Sequence, residues 1–314
     1  MDLERGTAVK RDADLEPSHT ERIMCMTPRT SPGVETGSNV CSATGASRMT
    51  SKLQDTLIEN SLGKIRHKLI IMSGKGGVGK SSISANIAVA FAQRNLRVGL
   101  MDVDLHRPSL ARMMGLEGHL EITDDRFAIP MPFNENLGVV SMQSLMLEPD
   151  QAVIWRGPAK TGVIRQFIAD VRWGELDFLI IDAPPGTGDE PLSVAQTVPD
   201  ARALIVTTPQ YVALSDVRKS IGFCRIVHLD MIGLIENMGP FDCPCCGKSI
   251  EIFKQGGGEK TARQRGIPFL GTVPFDPRVV SASDSGRPAF GESASASFTE
   301  AMTRCVDGIL DALS

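Results

Sequence analysis

The segment that most constrains this chain is Gly74-Lys75-Gly76-Gly77-Val78-Gly79-Lys80-Ser81, which fits the pattern G-x-x-x-x-G-K-[ST]. It follows an apolar run, Lys68–Ser73, and opens a helix-length stretch, Ser81–Arg94. The four glycines remove Cβ atoms from a tight turn, so successive backbone N–H groups can curl around an anion. The start of the next helix adds the positive end of its dipole. Lys80 is then placed to meet β- and γ-phosphate oxygens, and the Ser81 hydroxyl to ligate Mg2+. An ordinary glycine-rich turn does not need a buried strand before it and a helix after it. That context makes a phosphate-binding loop the expectation.

Such a loop requires an α/β scaffold, and the rest of the chain supplies one. Apolar runs of four to eight residues recur at Val98–Asp104, Phe178–Asp182, Ala203–Thr208, Met231–Glu236 and Phe269–Val273. They are rich in Ile, Leu and Val, as strands covered on both faces of a parallel sheet must be. Helical candidates such as Ser215–His228 lie between them. A final stretch carries Phe298, Met302, Cys305, Ile309 and Leu313 as one apolar stripe. The fold class is therefore α/β, a doubly wound, mostly parallel sheet with helices on both faces and ligands at the strands' carboxyl ends. Residues 1–50 are Ser-, Thr-, Gly- and Pro-rich without apolar periodicity and read as a disordered tail, with Met49 as a rival start. Residues 51–314 form the expected ATPase domain, with an inserted cysteine segment at about 239–250.

Two apolar runs end in carboxylates, as an Mg2+-dependent phosphoryl site needs. Asp104, after Val98–Asp104, is the candidate for Mg2+ and for positioning the attacking water, with Asp102 in a supporting role. Asp182 ends Phe178–Asp182 and is the second catalytic acid. Gly186 in the following Gly-Pro-rich turn can offer its N–H to the γ-phosphate, and that turn is a candidate switch. A lone Asp after a strand is usually a turn residue; two beside a phosphate loop are not ordinary.

Cys243 and Cys246 form a C-x-x-C pair, spaced to bind one metal centre. A pair is half of a four-ligand site, and a twofold dimer completes it. A shared [4Fe–4S] cluster, a shared zinc ion and a redox dithiol are the competing readings. Cys245 is a spare thiol between the ligands. Cys224 and Cys305 read as core residues, and Cys25 and Cys41 lie in the tail. Seven cysteines, an odd number, do not suggest an extracellular disulfide framework. Nor does the N-terminus read as a secretory signal, and no apolar run approaches the ~20 residues of a membrane span. A net charge of −4 argues against nucleic acid as a partner. A cytoplasmic protein, with neither nucleic acid nor membrane as partner, is expected.

In order along the chain, SGKGGVGKSS, DVDLHRPS, LIIDAPPGTGDEPL, TTPQYVALSDVRKSI, GLIENM, CPCCG and GTVPFDPRV resemble the Mrp/ApbC family of iron–sulfur carrier ATPases, within the deviant-Walker, MinD/ParA-like superfamily. That resemblance implies a cross-subunit role for Lys75, which reaches the partner's nucleotide. It implies that Asn237 reads the adenine edge, that Pro274 to Asp276 line the base, and that Ser82 lies near the α-phosphate. The implied cofactors are ATP and Mg2+. The implied cargo is a labile [4Fe–4S] cluster, bridged by Cys243 and Cys246 across a homodimer interface and passed to apo iron–sulfur acceptor proteins. Ser82 and the His106-Arg107 pair depart from common family residues. A four-cysteine N-terminal site found in some relatives is not transferred. The alternatives are a ParA/MinD-like spatial-organising ATPase, and a zinc-stapled regulatory ATPase dimer without a carrier role.

Overall fold

The computed structural model describes residues 54–105, 108–125, 127–145, 157–243, 245–291 and 293–314. The tail, Cys25, Cys41, Met49 and the His106-Arg107 pair lie outside the described residues. Helix α1 (residues 54–62) leads into β1 (Ile65–Ser73), the glycine loop and α2 (Lys80–Gln93). Strand β2 (Val98–Asp102) and the short α3 (Leu110–Met113) come next. A small hairpin of β3 (Glu121–Ile122) and β4 (Ala128–Ile129) precedes β5 (Met131–Asn134) and β6 (Leu137–Ser141). The alternation resumes with α4 (Gly157–Ala169), β7 (Leu176–Asp182), α5 (Asp189–Thr197), β8 (Arg202–Thr207), α6 (Tyr211–Ile226) and β9 (Asp230–Gly239). A second hairpin, β10 (Phe241–Asp242) and β11 (Ser249–Ile250), interrupts it. The described chain closes with α7 (Gly257–Arg265), β12 (Phe269–Pro274), α8 (Pro277–Asp284) and α9 (Ala296–Asp311).

The main sheet runs in the order β12-β9-β8-β1-β7-β2-β6-β5. Every pairing is parallel except β5 with β6. Within each apolar run, alternate side chains serve opposite layers, as the pleat dictates. Leu69 and Ile71 of β1 join Phe178 and Ile180 of β7 under α2 and α9, while Ile70 and Met72 join Leu179 and Ile181 under α4 and α6. Continuous hydrophobicity therefore serves two cores at once. The stripe on α9 buries Phe298, Met302, Cys305 and Ile309 as expected. Sequence reading passed over β5 and β6; β5 is a four-residue edge strand containing Pro132, which carries almost no periodic signal. The helix expected at Ser215–His228 begins earlier, at Tyr211.

Strand β1 sits between β7 and β8, where the order of connections reverses direction. Its carboxyl end is thus at a switch point of the sheet, the place where α/β folds open a crevice. The glycine loop leaves β1 there.

Candidate functional site

Each loop glycine answers a separate demand. Gly77 and Gly79 take φ of 78° and 82°, a region that costs other residues about 1–2 kcal/mol. A Cβ on Gly74 would lie 2.4 Å from the main-chain carbon of Asp216, so this glycine lets α6 pack against the loop. A Cβ on Gly79 would lie 2.2 Å from Asn237 Nδ2. A Cβ on Gly77 would meet nothing within 4 Å, and Gly76 and Gly77 are exposed, so the cradle opens at these two residues. Val78, between them and Gly79, is buried. No side chain caps the N-terminus of α2. The first turn, directly after the loop, is thus left without a side-chain acceptor, as an anion site at a helix start requires.

Lys80 and Asp182 form a buried ion pair, Nζ to Oδ2 2.6 Å, with side chains 7% and 1% exposed. Ser81 Oγ donates to Asp182 Oδ2 and Ser84 Oγ to Oδ1, each at 2.6 Å. A hydroxyl and a carboxylate oxygen thus meet beside the Lys80 ammonium. Hard oxygen donors of this kind suit Mg2+ together with phosphate oxygens. Asp102 lies opposite Asp182 in the β2–β7 register. Its Oδ1 accepts from the Asp104 N–H at 3.1 Å, and its Oδ2 from Ser109 N–H, Leu110 N–H and Ser141 Oγ. Complete burial and the neighbouring Asp182 push the Asp102 carboxyl up to about 7, against Lys80 and the N–H groups of Leu110 and Asp104. Asp102 therefore holds both ends of the segment carrying the buried Asp104. Ser82 receives Asn86, whose Nδ2 donates to the Ser82 carbonyl at 2.7 Å.

Three of the expected site residues are held by bonds within the protein. The Gly186 N–H, expected to face a γ-phosphate, donates to the Ser73 carbonyl at 2.8 Å. That bond pins the Gly-Pro-rich turn to the end of β1. Asn237, expected at the adenine edge, donates from Nδ2 to the Val78 carbonyl at 2.9 Å and so braces the phosphate loop. Asp276, expected beside the base, caps α8: its carboxylate accepts from the N–H groups of Arg278 and Ser295. Burial works against its charge, yet these hydrogen bonds and the Arg278 guanidinium hold its carboxyl below the ordinary value. Pro274 ends β12 opposite Gly239. Lys75 lies half-buried, its Nζ donating to Gln210 Oε1 at 3.2 Å just before α6.

The cysteine segment is the tip of the β10–β11 hairpin. Cys243 and Lys248 close it, Cys243 N–H to Lys248 O at 2.9 Å, and Gly247 takes a φ of 69° at the turn. An edge-on contact between Phe241 and Phe275, 5.6 Å between ring centres, anchors the hairpin to the loop after β12. Cys243 is partly exposed and Cys245 and Cys246 are exposed. The main-chain N–H groups of Cys245 and Cys246 bond to the Cys243 sulfur and hold its thiol below the ordinary value. Thiolate is the metal-binding form. Among the described residues, no group of three or more His, Cys, Asp or Glu side chains could hold a metal ion. Cys224 and Cys305 are buried, which pushes both thiols up to about 12, as core cysteines should be.

Glu236 is the residue that sequence reading missed, having taken it as a strand end. It is fully buried, and its carboxylate accepts from Gly256 N–H at 3.1 Å, Gly258 N–H at 2.5 Å and Thr272 Oγ1 at 3.3 Å. The readable signal was an acid closing an apolar run, followed later by Gly256-Gly257-Gly258.

This arrangement matches a family model described as NUBPL iron-transfer P-loop NTPase, of the ParA group, over residues 64–310. The chain belongs to that family. The members of that family are P-loop NTPases, and the glycine loop lies within the matched residues. It is 45% identical to an iron–sulfur cluster carrier protein of Methanocaldococcus jannaschii, over 75% of this chain and 81% of that one. It is 42% identical to the cytosolic Fe–S cluster assembly factor NUBP2 of Gallus gallus, over 82% of this chain and 97% of that one. Among solved structures, it resembles a nucleotide-binding protein in complex with ADP from Archaeoglobus fulgidus at 38% identity and a TM-score of 0.66. That match covers 74% of this chain and 91% of the other. The family assignment agrees with the resemblance drawn from the motifs.

Proposed function

We propose that this protein is an ATP-hydrolysing iron–sulfur cluster carrier that holds a [4Fe–4S] cluster between two copies of itself and passes it to apoproteins. The observation that carries the reading is the Cys243/Cys246 pair, partly exposed and exposed at a hairpin tip and half of a four-thiolate site, on the same fold as a phosphate loop. The carrier and assembly-factor names of the relatives support it. Residues 51–314 act as the ATPase domain, with 239–250 as the cluster-bearing insertion, and the cytosol is its compartment.

In this reading the loop from Gly74 to Ser81 binds the phosphates, and Lys80 turns from Asp182 to the β- and γ-phosphates. Ser81 and Asp104 hold Mg2+, which neutralises charge on the phosphates when bound. Asp104 orients the attacking water and Asp182 accepts the Ser81 hydroxyl. Gly186 exchanges its bond with Ser73 for the γ-phosphate, and hydrolysis returns it, so the Gly-Pro-rich turn reports which nucleotide is bound. Lys75 leaves Gln210 and reaches the partner's nucleotide, adding positive charge where the transferring phosphoryl group develops negative charge. The faces of Asn237, Pro274 and Asp276 left by their structural bonds border the base.

The test is anaerobic reconstitution with ferrous iron and sulfide. An absorption band near ~400 nm and about four irons per dimer are expected, both lost in Cys243→Ser. Tightly bound zinc without such a band would overturn the carrier reading and leave a metal-stapled ATPase dimer.

A further inference from the structure

Glu236 and Asn237 are consecutive residues of β9, yet they grip opposite parts of the site. Asn237 Nδ2 holds the Val78 carbonyl inside the phosphate loop, across 159 residues of sequence. Glu236 holds the N–H groups of Gly256 and Gly258, at the start of α7. Between Gly239 and Gly256 the chain makes the excursion that carries Cys243 and Cys246. Both of its ends are fastened at β9. On the outgoing side, a Cβ on Gly239 would lie 2.2 Å from Thr272 Cγ2, and the Gly239 carbonyl accepts from Phe275 N–H at 3.0 Å. On the returning side, Glu236 is the fastener. The glycines there suit it: Gly256 takes a φ of 74°, and a Cβ on Gly258 would lie 3.0 Å from Glu236 Oε2. Glu236 makes no ion pair among the described residues, and a buried carboxylate is costly unless its oxygens are well bonded. Two N–H groups at a helix start, with the dipole behind them, meet that need.

We propose that Glu236 is a positioning residue for the cysteine hairpin, and that its neighbour Asn237 makes that position respond to occupancy of the phosphate loop. A nucleotide that orders the loop fixes the Val78 carbonyl, and through it Asn237. The adjacent Glu236 then sets the register at which the hairpin's returning strand meets α7. Coupling of this kind is reciprocal, so whatever binds the cysteines alters nucleotide affinity by the same factor. The inference rests on the cysteine pair as the cargo site, but the coupling is readable without cargo.

The experiment is hydrogen–deuterium exchange on the full chain, with and without ADP and Mg2+, for wild type, Glu236→Gln and Glu236→Asp. In wild type, ADP should slow exchange in the glycine loop and also change exchange at residues 243–258 by about fivefold or more. Gln keeps the shape but turns an NH2 group toward one of the two N–H donors, so it loosens the clamp. In Glu236→Gln, loop protection by ADP should persist while the response at 243–258 disappears; Glu236→Asp, which keeps the charge, should restore part of it. Persisting loop protection also shows that the variant is folded. The coupling is overturned if wild type protects the loop with no response in the hairpin, or if Glu236→Gln keeps the full response. Failure to assemble a cluster in the reconstitution above would instead overturn the carrier reading, whatever the exchange pattern.

Discussion

Lys80 and Lys75 flank the same glycine loop and face opposite energetics. Lys80 neutralises a carboxylate that is itself fully buried, and removing one partner of such a pair leaves an uncompensated charge. Lys80→Ala should therefore lower nucleotide-free stability by about 3 kcal/mol in urea unfolding, eased somewhat by Ser81 and Ser84, and should abolish ATP turnover. Lys75 makes one hydrogen bond to Gln210 near the surface. Lys75→Ala should shift stability by less than about 0.5 kcal/mol while cutting turnover by at least ~10-fold. Full turnover in that variant would remove the cross-subunit role. Cys243 supplies a pH test. Backbone N–H groups lower its thiol, so the folded state favours thiolate: the gain is present above the unfolded value of 9.0 and is lost as pH falls through the lower folded value. Alkylation of Cys243 in the metal-free protein, followed against pH by mass spectrometry, should have its midpoint below 9.0. A midpoint at or above that value would mean the hairpin does not prepare the sulfur.

At the scale of elements, tight approaches decide more than propensity does. Gly79 and Gly77 have nearly the same φ, so a Cβ costs both about 1–2 kcal/mol of backbone strain. Only at Gly79 does the new atom also strike Asn237. Gly79→Ala should thus destabilise clearly more than Gly77→Ala in urea titrations, and equal losses would show that Asn237 moves aside freely. Helix α8 depends on its cap. Asp276→Ala should cost about 1 kcal/mol at neutral pH. Because the folded carboxyl lies below its ordinary 3.8, that cost should fade as acid protonates it, which thermal melts at stepped pH can follow.

At the scale of the whole molecule, the central question is how many chains make one site. In the proposed carrier reading, Cys243 and Cys246 are two ligands of a four-ligand site, and among the described residues no group of three or more His, Cys, Asp or Glu could hold a metal ion. Cluster content should therefore scale with dimer. Mixing wild-type chains with an excess of Cys243→Ser chains should lower iron bound per wild-type chain, as mixed dimers lose a ligand. Iron bound per wild-type chain that stays constant under dilution by the variant would place the whole cluster within one chain.

Everything legible in the amino-acid order was local or periodic. The glycine loop is contiguous, the buried strands announce themselves as unbroken apolar runs, the cysteine pair lies within four residues, and the order of motifs identifies the family. The partner of each polar side chain, by contrast, emerges only once the chain has folded. Asn237 and Val78 are 159 residues apart, and nothing in either neighbourhood says that a parallel sheet brings them to 2.9 Å. The same holds for Gly186 against Ser73, for Asp276 turned into a cap, and for Glu236 beneath α7. An apolar run specifies burial on two faces but leaves strand order open. Strand order is set by crossover connections and packing, and it alone decides which carbonyl a buried amide or carboxylate will find.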